Sequence, residues 1–294
     1  MKKWKFMIGV TLMSLSLLGC AKTNQPSSPE VTKNAQTVTI GYTQFPINID
    51  PADEYNGWFT IRYGVGETLF KMNDQLEPEP WLAEKMEQTS QLEWKITLRN
   101  DVTFQNGEKM TGAKVESSLK RLIEKSKRAA ADLGIESIHS EGQTVTIKTK
   151  SEQPIMKNLL AEPYSVIVDV DGKSASDKAP VGTGPFLIKT YTPETGATLE
   201  AYSNYWGGKA KVAQVKIKYF SDPTAISAAL QSKEVDAVYG LPYANLASFK
   251  KDNHYKISEK EGGRYLSSVS YTHLDVYKRQ PLELYRREKM SETV

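Results

Sequence analysis

Residues 92–123 read LEWKITLRNDVTFQNGEKMTGAKVESSLKRLI, and two periodicities succeed one another within them. Leu92, Trp94, Ile96 and Leu98 alternate with Glu93, Lys95, Thr97 and Arg99, the pattern of a half-buried strand. Val102-Thr103-Phe104 continues the alternation, and Asn106-Gly107 supplies a turn. Thr111 then stands as the N-cap of a helix on which Val115, Leu119, Leu122 and Ile123 form one apolar stripe. Val145 and Ile147 mark a further strand ahead of Pro154. The spacing predicts a compact α+β region over 60–165.

Outside that region the character changes. Gln36–Thr43 alternates Val38, Ile40 and Tyr42 with polar neighbours. Val166–Val170 is an apolar run but for Asp169, and strands are expected at Ala197–Tyr202 and Val215–Phe220. Asp222-Pro223 pairs an N-cap with proline at the first helical position, opening a helix with Ala225, Ile226, Ala229 and Leu230 inward. A short strand at Val235–Tyr239 completes a βαβ unit with a parallel pair, so this part reads as α/β.

The N-terminus sets the compartment. Lys2, Lys3 and Lys5 precede an apolar run from Phe6 to Leu18 that is short for a bilayer span and ends in Leu17-Leu18-Gly19-Cys20. Residues 1–19 read as a lipoprotein signal peptide, with Cys20 as the lipid attachment point of a lipobox. Cys20 is the chain's one cysteine, so no internal disulfide can form. The segment from Ala21 to Ala35 holds almost no apolar residue and carries Pro26, Ser27, Ser28 and Pro29, so 20–35 reads as a tether. The formal net charge is +3, and the signal peptide supplies three of the lysines. A near-neutral mature chain argues against a nucleic-acid partner.

Five segments in order, ETLFKMNDQLEPEPWLAEKME (67–87), WKITLRNDVTFQNGEKMTGAKVESSLKR (94–121), PVGTGPFLI (180–188), YSNYWGG (202–208) and DPTAISAALQSKEVDAVYG (222–240), resemble family 5 of the bacterial extracellular solute-binding proteins. The resemblance implies a peptide or nickel receptor of an ABC importer, with a type II periplasmic-binding-protein fold of the peptide-binding class. Residues 38–59 and 166–268 would form a discontinuous first lobe, and 60–165 an inserted α+β domain. The second lobe that family members carry after a segment like Gly262–Leu266 is expected to be missing. Residues 269–294, beginning VSYTHLDVYKRQ, read as a non-native tail without the apolar period to complete a lobe.

The implied partners are a small solute (oligopeptide or metal chelate), the permease subunits of an ABC importer, and the membrane through the N-terminal lipid. The expected place is outside the cytoplasm, lipid-anchored to the cell membrane. The competing classes are a lipid-anchored surface hydrolase and an adhesin or structural lipoprotein; no catalytic constellation and no repeat stands out for either. No cofactor is expected. His139, His254 and His273 are scattered without ligand spacing, so no resident metal is expected either. Gly182-Thr183-Gly184 runs into a strand rather than a helix, which excludes a phosphate loop and favours a tight turn. Asp50, Asp53 and Glu54 read as a solvated loop.

Three residues are the candidate ligand contacts. Tyr55 and Trp58 lie in DEYNGWFT (53–60) after the first strand, where large aromatics suit the wall of a mostly apolar pocket. Arg128 follows the long helix in EKSKRAAADLGI (124–135), and its place resembles that of the arginine with which nickel-type members face an anionic chelate. A guanidinium fork suits carboxylates. Nickel-type members carry a second arginine after the segment matching Leu159–Leu160, whereas AEPYSVIV (161–168) has none. Peptide and metal chelate both remain open.

Overall fold

The structure is a computed structural model describing residues 36–170 and 179–258. The expected signal peptide, Cys20, the tether, His273 and the 269–294 tail lie outside the described residues. Among the described residues, the strands are β1 (Thr37–Tyr42), β2 (Phe70–Met72), β3 (Pro78–Pro80), β4 (Ala83–Ser90), β5 (Glu93–Leu98), β6 (Ile135–Glu141), β7 (Thr144–Thr149), β8 (Phe186–Thr192), β9 (Gly196–Ala201), β10 (Gln214–Tyr219) and β11 (Ala237–Tyr239). The helices are α1 (Gly57–Arg62), α2 (Gly112–Lys125), α3 (Lys127–Leu133), α4 (Met156–Leu159), α5 (Pro223–Gln231) and α6 (Tyr243–Lys250). One compact unit ends at Pro242 and a second begins at Tyr243. Within the second, Phe249 and Tyr255 meet edge to face at 4.8 Å.

Alternation in sequence becomes a one-sided sheet. β4, β5, β7 and β6 lie side by side in that order, all antiparallel. Trp94, Ile96, Leu98, Val145 and Ile147 are buried on one face of it, where the stripe of α2 covers them with Val115, Leu119 and Leu122. The Thr111 hydroxyl accepts from Lys114 N at 3.4 Å, the N-cap bond expected of it. Thr103 bridges Lys109 across the Asn106-Gly107 turn.

The larger sheet runs β11-β1-β10-β9-β8. β1 is parallel to both β10 and β11, while β9 and β8 are antiparallel additions. The expected β10–α5–β11 unit exists, but its two strands do not touch. Each pairs with β1, which lies between them, because the crossover through α5 steps over one strand. Asp222 caps α5 by accepting from Thr224 N at 2.8 Å. Ile226 and Ala229 are buried as expected, whereas Ala225 is exposed and Ser227 takes the inward position. A second hydrophobic cluster beneath this sheet includes Tyr42, Ile49, Leu199 and Ile217, and Tyr63 and Val65 pack there too.

A polar seam joins the segments between the two sheets. The Glu67 carboxylate, 1% exposed, accepts from Thr183 Oγ1 and Trp206 Nε1, both at 2.8 Å, and from Tyr205 OH at 2.6 Å. Gln105 Nε2 donates to the carbonyls of Val65 (2.9 Å) and Phe186 (2.6 Å), and its Oε1 accepts from Gly182 N at 3.2 Å. Here Gly182-Thr183-Gly184 finds its purpose. A Cβ at Gly182 would stand 2.1 Å from the Val65 carbonyl oxygen, so only glycine lets the two backbones approach.

Burial pushes the Glu67 carboxyl above the usual glutamate range, although Tyr205, Trp206 and Thr183 donate to its charged form. A raised folded-state value stabilises the fold below the ordinary glutamate range, and this contribution is lost as pH rises through the raised value. Glu67→Ala strands three donors and should cost about 2–4 kcal/mol. Glu67→Gln, which keeps an acceptor, should cost less. Urea unfolding across pH should show a fall in stability above the ordinary glutamate range that is absent from Glu67→Gln.

Candidate functional site: an arginine among aromatic rings

The loop between β1 and α1 is wound by its own side chains. Asn48 Oδ1 accepts from Asp50 N (3.0 Å) and from Asn56 Nδ2 (2.9 Å), and Asn48 Nδ2 donates to Asp53 Oδ2 at 2.7 Å. The reading of Asp50, Asp53 and Glu54 as a solvated loop fails at Asp50, which is 2% exposed. Its carboxylate accepts from Ala52 N at 3.1 Å, from Lys125 Nζ at 2.5 Å, and from both terminal nitrogens of Arg121. Burial alone would raise its pKa; the hydrogen bonds from Arg121 and Lys125 outweigh that and hold it below the usual aspartate range.

α1 is pressed against the turn at Pro163–Ser165. A Cβ on Gly57 would lie 2.0 Å from the Pro163 carbonyl oxygen, so glycine is required for this approach. The Thr60 hydroxyl donates to the Ile49 carbonyl at 2.7 Å and fixes the next turn. Trp58 therefore sits on the first turn of a helix, not in the loop where the sequence placed it.

The helix before Arg128 also differs from expectation. It breaks at Ser126, whose N–H closes α2 on the Leu122 carbonyl (2.8 Å) and whose hydroxyl caps α3 by accepting from Ala129 N (3.3 Å). Arg128 thus lies in the first turn of α3. The break swings it toward the rings rather than along the axis of α2.

These elements bring Tyr55, Trp58 and Arg128 together. The guanidinium carbon lies 5.3 Å from the Tyr55 ring centre, 5.8 Å from Trp58 and 5.2 Å from Tyr164. Tyr55 and Trp58 are 5.7 Å apart and tilted by 57°. Arg128 Nε pairs with Asp132 at 3.5 Å, and its side chain remains 43% exposed. Glu162 stands in the same field: burial pushes its carboxyl up, and Arg128 pulls it down. Burial likewise raises the Tyr164 phenol, with Asp132 and Glu162 adding to the effect.

Sequence reasoning missed Tyr164, Asp132 and Glu162. Tyr164 stands in the segment inspected for a second arginine, and an aromatic after Glu162-Pro163 is the signal that could have found it. Chemically, the cluster is a half-exposed cation beside aromatic rings, and a guanidinium fork of this kind suits a carboxylate. His139 and His254 are exposed. Among the described residues no three His, Cys, Asp or Glu side chains could hold a metal ion directly.

The family model for bacterial extracellular solute-binding proteins, family 5 (middle), matches residues 77–276. The chain belongs to this family. It is 34% identical over 228 residues to the nickel-binding protein NikA of Staphylococcus aureus, covering 78% of this chain and 46% of that protein. The crystal structure of that NikA in complex with Ni(L-His)2 superposes with a TM-score of 0.71 at 32% identity, over 74% of this chain and 46% of NikA. A nickel ABC transporter structure from Bacillus halodurans gives 0.70 at 32% identity, with the same coverage. A putative ABC transporter peptide-binding protein of Brucella ovis is 29% identical over 126 residues, 40% of this chain and 24% of that protein. The chain thus spans about half the length of the nickel-binding relatives. Its architecture is a partial α/β fold of the periplasmic binding proteins, one lobe with an α+β insertion.

Stability and site chemistry should separate on mutation. Arg128→Ala removes half-exposed cation–π contacts and should cost only about 0.5–1 kcal/mol in urea melts. Gly57→Ala forces a methyl group into the Pro163 carbonyl and should cost about 1–3 kcal/mol.

Proposed function

We propose that this chain is the solute-capturing part of an extracytoplasmic lipoprotein that delivers nickel, held in a small amino-acid chelate, to an ABC importer. The observation that carries the reading is the half-exposed Arg128 guanidinium framed by Tyr55, Trp58 and Tyr164. Such a site takes a carboxylate on the cation and the apolar flank of a ligand on the rings. The similarity to nickel-binding proteins, one of them solved with Ni(L-His)2, supports the same choice. The chelator brings its own ligands to the metal, so the protein needs none on this side. Cys20, through a lipid, would hold the receptor at the outer face of the membrane, and the permease would be its partner.

A short peptide is the second reading, favoured by the Brucella relative and by the single arginine of the cluster. Extended peptides are held largely through backbone hydrogen bonds, which a tolerant aromatic wall permits. A hydrolase or an adhesin finds no comparable support in the family.

Calorimetry with nickel–histidine, free nickel and oligopeptides on a family-length protein bearing these residues tests the choice. Nickel–histidine should bind, and Arg128→Ala should weaken it at least about tenfold, the loss of one charged hydrogen-bonding partner. Tight peptide binding with chelate affinity unchanged in Arg128→Ala would overturn the nickel reading. The 294-residue chain, enclosing the ligand on one side, should bind more weakly than the family-length protein.

A further inference from the structure

The cluster is assembled from two stretches of chain, and something must hold them in register. Residues 53–56 are exposed or half-buried and lie outside both hydrophobic clusters, so packing does not fix Tyr55. Polar contacts must do so. Within the loop they centre on Asn48, and those that tie the loop to α2 converge on Asp50, which is buried together with Ile49, Pro51 and Ala52.

We propose that Asp50 is a positioning residue of the solute site: it clamps the loop onto α2 and so fixes Tyr55 and Trp58 against Arg128. The inference rests on reading the Arg128 cluster as the solute-facing site. Arg121 and Lys125 are four residues apart on α2, so both reach the same carboxylate from one helix face. The Asp50 side chain is 3% exposed, while those of Arg121 and Lys125 are 34% and 40% exposed. An ordinary surface pair would carry little energy, but a buried carboxylate losing its partners is strongly disfavoured. The clamp therefore closes firmly.

Both stretches of chain leave the clamp toward the cluster. From Asp50 the loop runs through the Asn48–Asp53 and Asn48–Asn56 contacts to Tyr55 and on to Trp58. From Lys125 the chain turns at Ser126 and reaches Arg128 on the next turn. An error in the clamp would therefore appear as a displacement of the rings from the guanidinium. Asp50→Asn keeps the shape but turns an amide donor toward two cationic donors, which opens the clamp without emptying space.

The test is ¹⁹F NMR of the 294-residue chain labelled with 5-fluorotryptophan, with the Trp58 line assigned from Trp58→Phe. Trp81, Trp94 and Trp206 serve as internal reporters of the fold. In Asp50→Asn the Trp58 line should shift or broaden as far as it does in Arg128→Ala, with the Trp81, Trp94 and Trp206 lines unchanged, and Asp50→Glu should restore part of it. Arg121→Gln keeps Lys125 on Asp50 and should give a smaller change in the same line if Asp50→Asn folds poorly. An unchanged Trp58 line in Asp50→Asn, or equal movement of all the tryptophan lines in both variants, would overturn the inference. Nickel–histidine is then added to a family-length protein bearing these residues and carrying the same label. A Trp58 line it leaves untouched refutes the solute reading, while the ligand-free spectra still decide for or against the clamp.

Discussion

The described fold depends on a buried carboxylate that serves segments far apart in sequence. Glu67 draws in the hydroxyl of Thr183, the phenol of Tyr205 and the indole of Trp206, while its backbone carbonyl accepts from Ile167 N at 2.9 Å. Around it, Gln105 satisfies the carbonyls left open where the 64–66 and 182–186 segments meet. A buried acceptor without donors would cost more than most single contacts contribute, so each donor holds its segment in place. Gly182 and Gly184 let the backbones close over this seam without room for a side chain.

Glu67 and Asp50 face the same burial with opposite results. Both lose hydration, which favours the protonated form. Asp50 gains two cationic partners that overcome this, and it stays charged further into acid. Glu67 has neutral hydrogen-bond donors and only a weaker pull from the Lys71 charge, which soften the effect without reversing it. The sign of each shift follows from whether the donors carry charge. The contrast separates two ways of joining chain segments: an ionic clamp beside the candidate site and a neutral hydrogen-bonded knot in the interior.

Local grammar in the sequence was readable wherever one element determined it. The alternation of 92–99, the Thr111 cap and the Asp222-Pro223 start all correspond to observed geometry. Tyr55 and Trp58 stand out as large aromatics in one loop and Arg128 through a family likeness, but no periodicity links residues so far apart, so their gathering was not legible. Hidden from view were the features set by long-range partners. Asp50 looks like any acidic loop residue until Arg121 and Lys125 are seen beside it. Tyr164 is core, 2% exposed, and its place beside Arg128 shows only once α1 packs on its turn through Gly57. The strand between β10 and β11 comes from the other end of the chain, and a βαβ pattern is the same with or without it. Ala225 is outward on α5 while Ser227, two positions on, is buried, a detail the apolar pattern does not carry.

The placement of β1 has a consequence for the order in which the molecule assembles. The four-stranded sheet uses strands from 83–149, a stretch that leaves the ribosome together and contains its own covering helix. β1 leaves earlier than all of these, yet its partners are Gln214–Tyr219 and Ala237–Tyr239. Each doubling of a closing loop adds only about 0.6 kcal/mol, so the final fold loses little by this arrangement. The penalty is in time. Throughout synthesis of the intervening chain, a strand bearing Val38, Ile40 and Tyr42 has no sheet to join, and unpaired strands of this kind are what holding chaperones protect. A protein with this topology is built with its earliest strand waiting longest, so its demand for such protection peaks before the larger sheet can close.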